Sequence, residues 1–208
     1  MPKRKWYSLL MHEKIALNAR SLNETHAKYV DKLYVKDLVK DDVKVAKVIR
    51  VLKDPNDFHS SDINSNHILK SRHGSGQNID LARIQDEDIP EVKRFMRIHN
   101  HKYGDPIKEP QYQHIPVGFY IEEKIRDVYH GISSHAATFM IRCIRGRPIC
   151  IGIKLNKSAG SSNYLYTPNW KQLTNITPEL DPPKDLRVML NTAAKLSKQF
   201  RFVRMDFY

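Results

Sequence analysis

Lys70 closes a short apolar run, Ile68-Leu69, and is followed by Ser71-Arg72-His73-Gly74-Ser75-Gly76-Gln77-Asn78. Only eight glycines occur in the 208 residues, and two of them stand one residue apart here. Glycine reaches positive φ without steric penalty, so successive N–H groups of such a loop can converge on one anion. A lysine at a strand end is directed rather than freely solvated, and beside Ser75 it could neutralise a phosphate oxygen. The loop is not a Walker A motif, because the lysine precedes the glycines and no Gly-Lys-Ser/Thr follows; nor is it a Gly-x-Gly-x-x-Gly fingerprint. The competing reading is a plain turn.

Three other groups of residues could do chemistry. Glu122 and Glu123 fall in an apolar segment where alternation lets only one of them enter a given cleft; otherwise they line a solvated strand edge. Arg204 and Asp206 are two residues apart in Val203-Arg204-Met205-Asp206-Phe207-Tyr208, so they share the polar face of a strand whose other face is apolar. Asp206 could hold Mg²⁺, which prefers carboxylate oxygen, and Arg204 could grip an anionic substrate. Against that stands a surface ion pair worth under about 1 kcal/mol. His99 and His101, two apart on a predicted helix, point to different faces and do not make a metal pair.

The elements that must position these groups can be read from periodicity. Residues 24–39 are predicted as a helix with Val30, Leu33, Tyr34 and Leu38 near one face, and Val45–Leu52 as a strand, followed by a turn at Lys53-Asp54-Pro55-Asn56-Asp57. Asp88 is placed to cap a helix with Pro90 in its first turn and Ile89, Val92, Phe95, Met96 and Tyr103 as apolar positions, ended by Gly104 and Pro106. Phe119–Ile125 reads as a strand. Residues 138–144 and 149–155 read as a hairpin around Arg145-Gly146-Arg147-Pro148. A Gly146-Arg147 turn would set Cys143 opposite Cys150, whereas an Arg145-Gly146 turn would not. Residues 156–184 read as a long loop that covers a site, and residues 185–200 as a helix with Leu186, Met189, Leu190, Ala193, Leu196 and Phe200 at helical spacing. Strands and helices in this order indicate an α+β fold.

Composition limits the function classes. A formal net charge of +12 favours polyanionic partners, but the basic residues are spread along the chain and no helix-turn-helix, zinc-finger or RNP-like signature accompanies them. Nucleic acid is therefore only the third-ranked partner. No apolar run approaches the roughly 18 residues of a transmembrane helix, and the basic start lacks a signal-peptide pattern. Two cysteines without Cys-x-x-Cys spacing suit free buried thiols in a reducing compartment, and the chain is placed in the cytoplasm.

Taken in order, the segments resemble the TupA-like branch of the ATP-grasp superfamily, whose members are linked to teichuronopeptide and other surface-polysaccharide biosynthesis. The resemblance rests on His12-Glu13-Lys14-Ile15, Asp31-Lys32-Leu33-Tyr34-Val35-Lys36-Asp37, the strand lysine and loop of Ile68–Asn78, Tyr120-Ile121-Glu122-Glu123, Arg145-Gly146-Arg147-Pro148 and the block Pro183–Tyr208. It implies two α+β lobes enclosing a nucleotide cleft: residues 1–58 as an N-terminal segment, 59–120 as a small nucleotide lobe, and 121–208 as a larger lobe with the metal and substrate strand. Lys70 would meet the ATP phosphates, with His73, Gly74, Ser75 and Gly76 closing over them. Glu122 and Glu123 would form the adenine side, and Asp206 would hold Mg²⁺ with Arg204 on the substrate. The implied activity is an ATP-dependent ligase that activates a carboxylate, carried by an acidic saccharide or polymer, as an acyl phosphate for attack by an amine or other nucleophile. Other enzymes of polysaccharide biosynthesis would be its partners. Two departures set the alternative, a nucleotide- or polysaccharide-binding relative without catalysis: Met140 stands where the family pattern has a lysine, with Arg142 or Lys154 as candidate substitutes. A further strand with a second metal-binding glutamate is also expected beyond Tyr208, so the resemblance implies a truncated chain.

Overall fold

The computed structural model describes residues 6–105, 109–125, 129, 136–157, 160–177 and 179–208. Met1–Lys5 and the expected helix stop at Pro106 lie outside them. The chain is α+β and divides into two compact units, Met1–Lys124 and Ile125–Tyr208, each built on an antiparallel four-stranded sheet.

In the first unit the strands are β1 (Val48–Leu52), β2 (His67–Ser71), β3 (Asn78–Asp80) and β4 (Phe119–Glu123), in the spatial order β1-β4-β2-β3. Helix α4 (Ile89–Ile98) provides the core of this unit: Val92 and Met96, four residues apart on one face, are buried with Leu52, Phe58, Leu69, Leu81, Phe119 and Ile121. Each such side chain contributes about 1.5–3 kcal/mol by leaving water. Asp88 occupies the N-cap position of α4, but its carboxylate accepts from the Gln85 amide (2.9 Å) and so caps the preceding turn instead. Tyr103 falls beyond the helix and packs edge-on against Tyr112.

Central strand β4 is buried on both faces, because Phe119 and Ile121 join the α4 core while Tyr120 and Glu122 point to the opposite side. The helix expected over 24–39 is broken in two, α2 (Glu24–Ala27) and α3 (Lys32–Val39), following α1 (Met11–Ala19). The break has a cause in Asp31, whose extended backbone and carboxylate, accepting from the Leu33 and Tyr34 amides at 3.1 and 3.4 Å, restart the helix as an N-cap. The apolar stripe is not what α3 buries: Tyr34 and Leu38 are exposed, and Lys32 and Lys36 make the inward contacts.

In the second unit β5 (Thr138–Ile144), β6 (Arg147–Lys157), β7 (Gly160–Tyr166) and β8 (Val203–Phe207) take the order β7-β6-β5-β8. Helix α5 (Leu186–Leu196) packs Leu186, Met189, Leu190 and Ala193 against the face formed by Phe139, Ile141, Cys143, Ile151, Ile153, Leu155, Tyr164 and Tyr166. The hairpin turn is Arg145-Gly146, both at positive φ (46° and 79°), as a type I′ turn requires. Ile144 therefore pairs with Arg147 and Cys143 with Pro148, and after a bulge Arg142 faces Cys150. The two thiols are free; Cys143 is buried, whereas Cys150 is only half-buried, on the other face.

The expected loop over 156–184 is partly strand. β6 continues to Lys157 and β7 returns along it, with Tyr164 and Tyr166 turned inward. Serine and asparagine around them hide the alternation from a composition-based reading. Beyond β7, Trp170 stacks on Tyr166 (4.5 Å between centroids) and donates to the Leu180 carbonyl (2.7 Å), so the start of the irregular segment is fastened to the core.

Candidate functional site

The face of the first sheet opposite α4 holds a polar cluster. Glu122, buried at 3% exposure, forms ion pairs with two ammonium groups: Lys70 Nζ lies 2.6 Å from Oε1 and Lys36 Nζ 2.8 Å from Oε2. β2 runs beside β4 with Ile68 opposite Glu122 and Lys70 opposite Tyr120, so Lys70 reaches Glu122 along the same face. Lys36 comes from α3 and also donates to the Ala46 carbonyl at 2.8 Å. Lys32, one turn earlier on α3, donates to the carbonyls of Ser71 (2.6 Å) and Gly74. Arg72 clamps Asp31 with two bonds, Nε to Oδ1 at 2.8 Å and Nη2 to Oδ2 at 2.5 Å. The N-terminus of α3 and the glycine loop are thus one piece.

Four cations, Lys32, Lys36, Lys70 and Arg72, meet two carboxylates, Asp31 and Glu122. The excess is positive and poorly hydrated. Lys32 registers it: burial, and then the neighbouring charge of Lys70, push its pKa down to about 8, although Glu122 and Asp31 pull the other way. An electropositive cluster beside backbone amides is suited to a polyanion.

The loop itself is shaped for close approach. The Gly74 amide donates to Ser71 Oγ at 2.7 Å, and the Ser71 amide to the Gln77 carbonyl at 3.0 Å. A Cβ on Gly74 would fall 1.8 Å from Gln77 Oε1 and 2.6 Å from Ser71 Oγ, so the Gln77 side chain would have to move. Gly76 has φ +71° and open space around it, and with Ser75 it forms the exposed tip. No hydrogen bond among the described residues engages the Ser75 and Gly76 amides. His73 is fully buried and turned away from the tip: Nδ1 accepts from the Gly118 amide (3.3 Å) and Nε2 lies 3.0 Å from the His99 carbonyl. That pattern assigns the neutral Nε2–H tautomer, and burial pushes its pKa down. The imidazole anchors the loop to the end of α4, so the His73 ring is not available at the tip. Glu123 is exposed and paired in register with His67, so Glu122 alone joins the cluster.

In the second unit Arg204 and Asp206 lie on the face of the sheet away from α5. They bind each other in fork geometry, Nε to Oδ1 at 2.7 Å and Nη2 to Oδ2 at 2.8 Å. Asp206 faces Met140 and Arg204 faces Arg142 across the β5–β8 ladder. No group of three or more histidine, cysteine, aspartate or glutamate side chains suited to a metal occurs among the described residues. A lone carboxylate with both oxygens engaged by Arg204 does not fit a resident Mg²⁺ site. It suits only an ion carried in on phosphates, since Mg²⁺ commonly uses one or two carboxylates plus substrate oxygens.

Sequence reasoning missed Lys32, Lys36, Asp31 and Arg72. The signal was present as two lysines four apart, immediately after an aspartate in an N-cap position, but the apolar stripe of the same segment outranked it.

Comparison with known proteins adds one match: residues 12–208 fit the family model described as TupA-like ATPgrasp. No curated protein matches the chain. No helix among the described residues is long and apolar enough to cross a membrane.

Proposed function

The chain belongs to the TupA-like ATP-grasp family, and from that premise we propose that it binds ATP and, as a ligase, activates the carboxylate of an acidic saccharide or surface polymer. The observation that carries this reading is the cluster of Lys32, Lys36 and Lys70 around Glu122, beneath a glycine loop with free amides at its tip. Lys70 meets the phosphates, and the amides of Ser75 and Gly76 close over them, with buried Gly74 fixing the base of the loop. Glu122 sets the direction of the Lys70 ammonium, and its remaining lone pairs accept from the adenine amino group, with Glu123 at the rim. In the second unit, Asp206 would be the carboxylate for Mg²⁺, which would supply neutralisation of phosphate charge. Arg204 takes the substrate anion.

The reaction is a phosphoryl transfer followed by acyl transfer. A carboxylate oxygen attacks the γ-phosphorus and ADP leaves; the amine then attacks the acyl carbon and releases phosphate. Positioned cations supply most of the assistance, since charge moves as the phosphoryl group does. The cytoplasm, where ATP is made, and a complex with other polymer-synthesising enzymes fit this reading.

A second reading, nucleotide binding without catalysis, draws on the mutual engagement of Arg204 and Asp206 and on Met140 opposite Asp206. The two separate by trapping. With Mg-ATP, a panel of uronic-acid saccharides and hydroxylamine, a ligase yields saccharide-dependent ADP and a hydroxamate. ATP binding with no hydroxamate across the panel selects the binding-module reading, and no ATP binding removes both.

A further inference from the structure

We infer that one end of the second unit, the tip of the β5–β6 hairpin together with the turn that follows α5, is a docking surface for anionic lipid headgroups; this goes beyond the ligase reading and does not depend on it. Residues 138–157 and 186–205 hold ten lysines and arginines and no aspartate or glutamate. The fold gathers five of the ten at one place. The Arg145 amide donates to the Phe200 carbonyl at 3.1 Å, and a Cβ on Gly146 would lie 3.0 Å from Lys198 Cγ and 3.3 Å from the Ala194 carbonyl oxygen. The hairpin tip therefore rests on the last turn of α5 and on the turn Ser197–Gln199. Arg145, Arg147, Lys195, Lys198 and Arg201 are all exposed there. Among the described residues no carboxylate pairs with Arg145, Arg147, Lys198 or Arg201.

A helix C-terminus favours nearby cations, which accounts for Lys195 and Lys198. It does not account for Arg145. That residue holds the first central position of the type I′ turn at φ 46°, where asparagine, aspartate or glycine sits with less strain. An arginine kept in the left-handed region gives up local stability, and what it adds is a cation at the apex of the hairpin. Like charges gathered at one end repel one another until an anion faces them. The form of the tip selects that anion. A hairpin apex beside a helix end meets a plane more readily than it encloses a polymer strand. Its aromatic residues, Phe200 and Phe202, are half-buried, so neither offers an open ring on which a base or a sugar could stack. Ile149, 38% exposed beside the tip, adds an apolar side chain that a lipid interface accepts. An anionic leaflet supplies the plane of charge, at about fivefold in partition for each lysine or arginine near its surface.

The test is flotation of the full chain with vesicles of phosphatidylcholine, alone or with a third of phosphatidylglycerol, at about 0.1 M salt. The wild type is expected to float only with the anionic vesicles and to be released as salt rises towards about 1 M, where the screening length falls to about 3 Å. Arg145→Asn combined with Arg201→Gln should lower the partition roughly 25-fold, fivefold for each cation. Asparagine suits the turn, so Arg145→Asn alone should melt no lower than the wild type while binding about fivefold more weakly; a merely structural arginine would show the reverse. Lys53→Gln, at an exposed lysine of the first unit, should leave the partition unchanged. Full partition of the double variant, or an equal loss in Lys53→Gln, overturns the tip as the docking surface. A wild type that ignores the vesicles overturns the lipid reading; if it binds duplex RNA or a soluble polyuronate instead, and the double variant binds them more weakly, the tip belongs to a polymer.

Discussion

Raising the pH through 8 should weaken ATP binding while making the fold more stable, and both effects trace to Lys32. Its pKa is pushed from the ordinary 10.5 down to about 8, first by burial and then by Lys70. The unfolded chain keeps this proton to about pH 10.5 and the folded chain releases it near pH 8, so between those values the unfolded state binds more protons and stability rises with pH. Integrated over that window, the gain reaches about 3 kcal/mol at most, and below pH 8 it is absent. ATP acts in the opposite sense. A polyphosphate beside Lys32 favours the charged ammonium, so binding at pH 8 takes up about half a proton. Affinity should fall about tenfold from pH 7 to pH 9, as the charged fraction of the free protein falls. Calorimetry in two buffers of different ionisation enthalpy reads the proton uptake, and thermal melts across the same pH range read the stability. Lys32→Met should abolish the uptake and flatten the pH dependence of affinity. Wild-type binding at pH 8 without proton uptake, with constant affinity to pH 9, would refute the assignment of Lys32 to the phosphate field.

Gly74→Ala should cost about 1–3 kcal/mol in chemical denaturation and weaken Mg-ATP binding, because its Cβ would strike Gln77 Oε1 and Ser71 Oγ; Gln77→Ala in the same chain should return part of both. Asp31→Ala removes the α3 cap and the partner of Arg72, for an expected loss of 2 kcal/mol or more by denaturant melts. In the native protein a thiol reagent should label Cys150 and spare Cys143, since Cys143 is buried and burial pushes its thiol pKa up; equal rates at both would contradict the hairpin register.

The elements with a clean period were legible in the sequence. Val92 and Met96 on α4, the inward face of α5 and the alternation of Val203–Phe207 all follow from spacing alone, because in each case the apolar face is the buried face. The segment 24–39 misled for the opposite reason: Tyr34 and Leu38 of its apolar stripe stay exposed, and its inward contacts are the polar ones of Asp31, Lys32 and Lys36. Such contacts depend on partners some 40 to 90 residues away, Ser71, Arg72 and Glu122, which no local pattern reveals. Strand β7 was hidden by serine and asparagine flanking two inward tyrosines. At the glycine loop the sequence indicated a cradle but not its support, because the direction of the His73 ring depends on Gly118 and His99.

The central claim is that Lys70 and its neighbours hold the phosphates of ATP, and titration of Mg-ATP into the wild-type chain and into Lys70→Ala tests it most directly. The account predicts saturable one-to-one binding by the wild type and a loss of tenfold or more in Lys70→Ala, with the variant still folded by its melting profile. A folded Lys70→Ala that binds Mg-ATP as tightly as the wild type would contradict it.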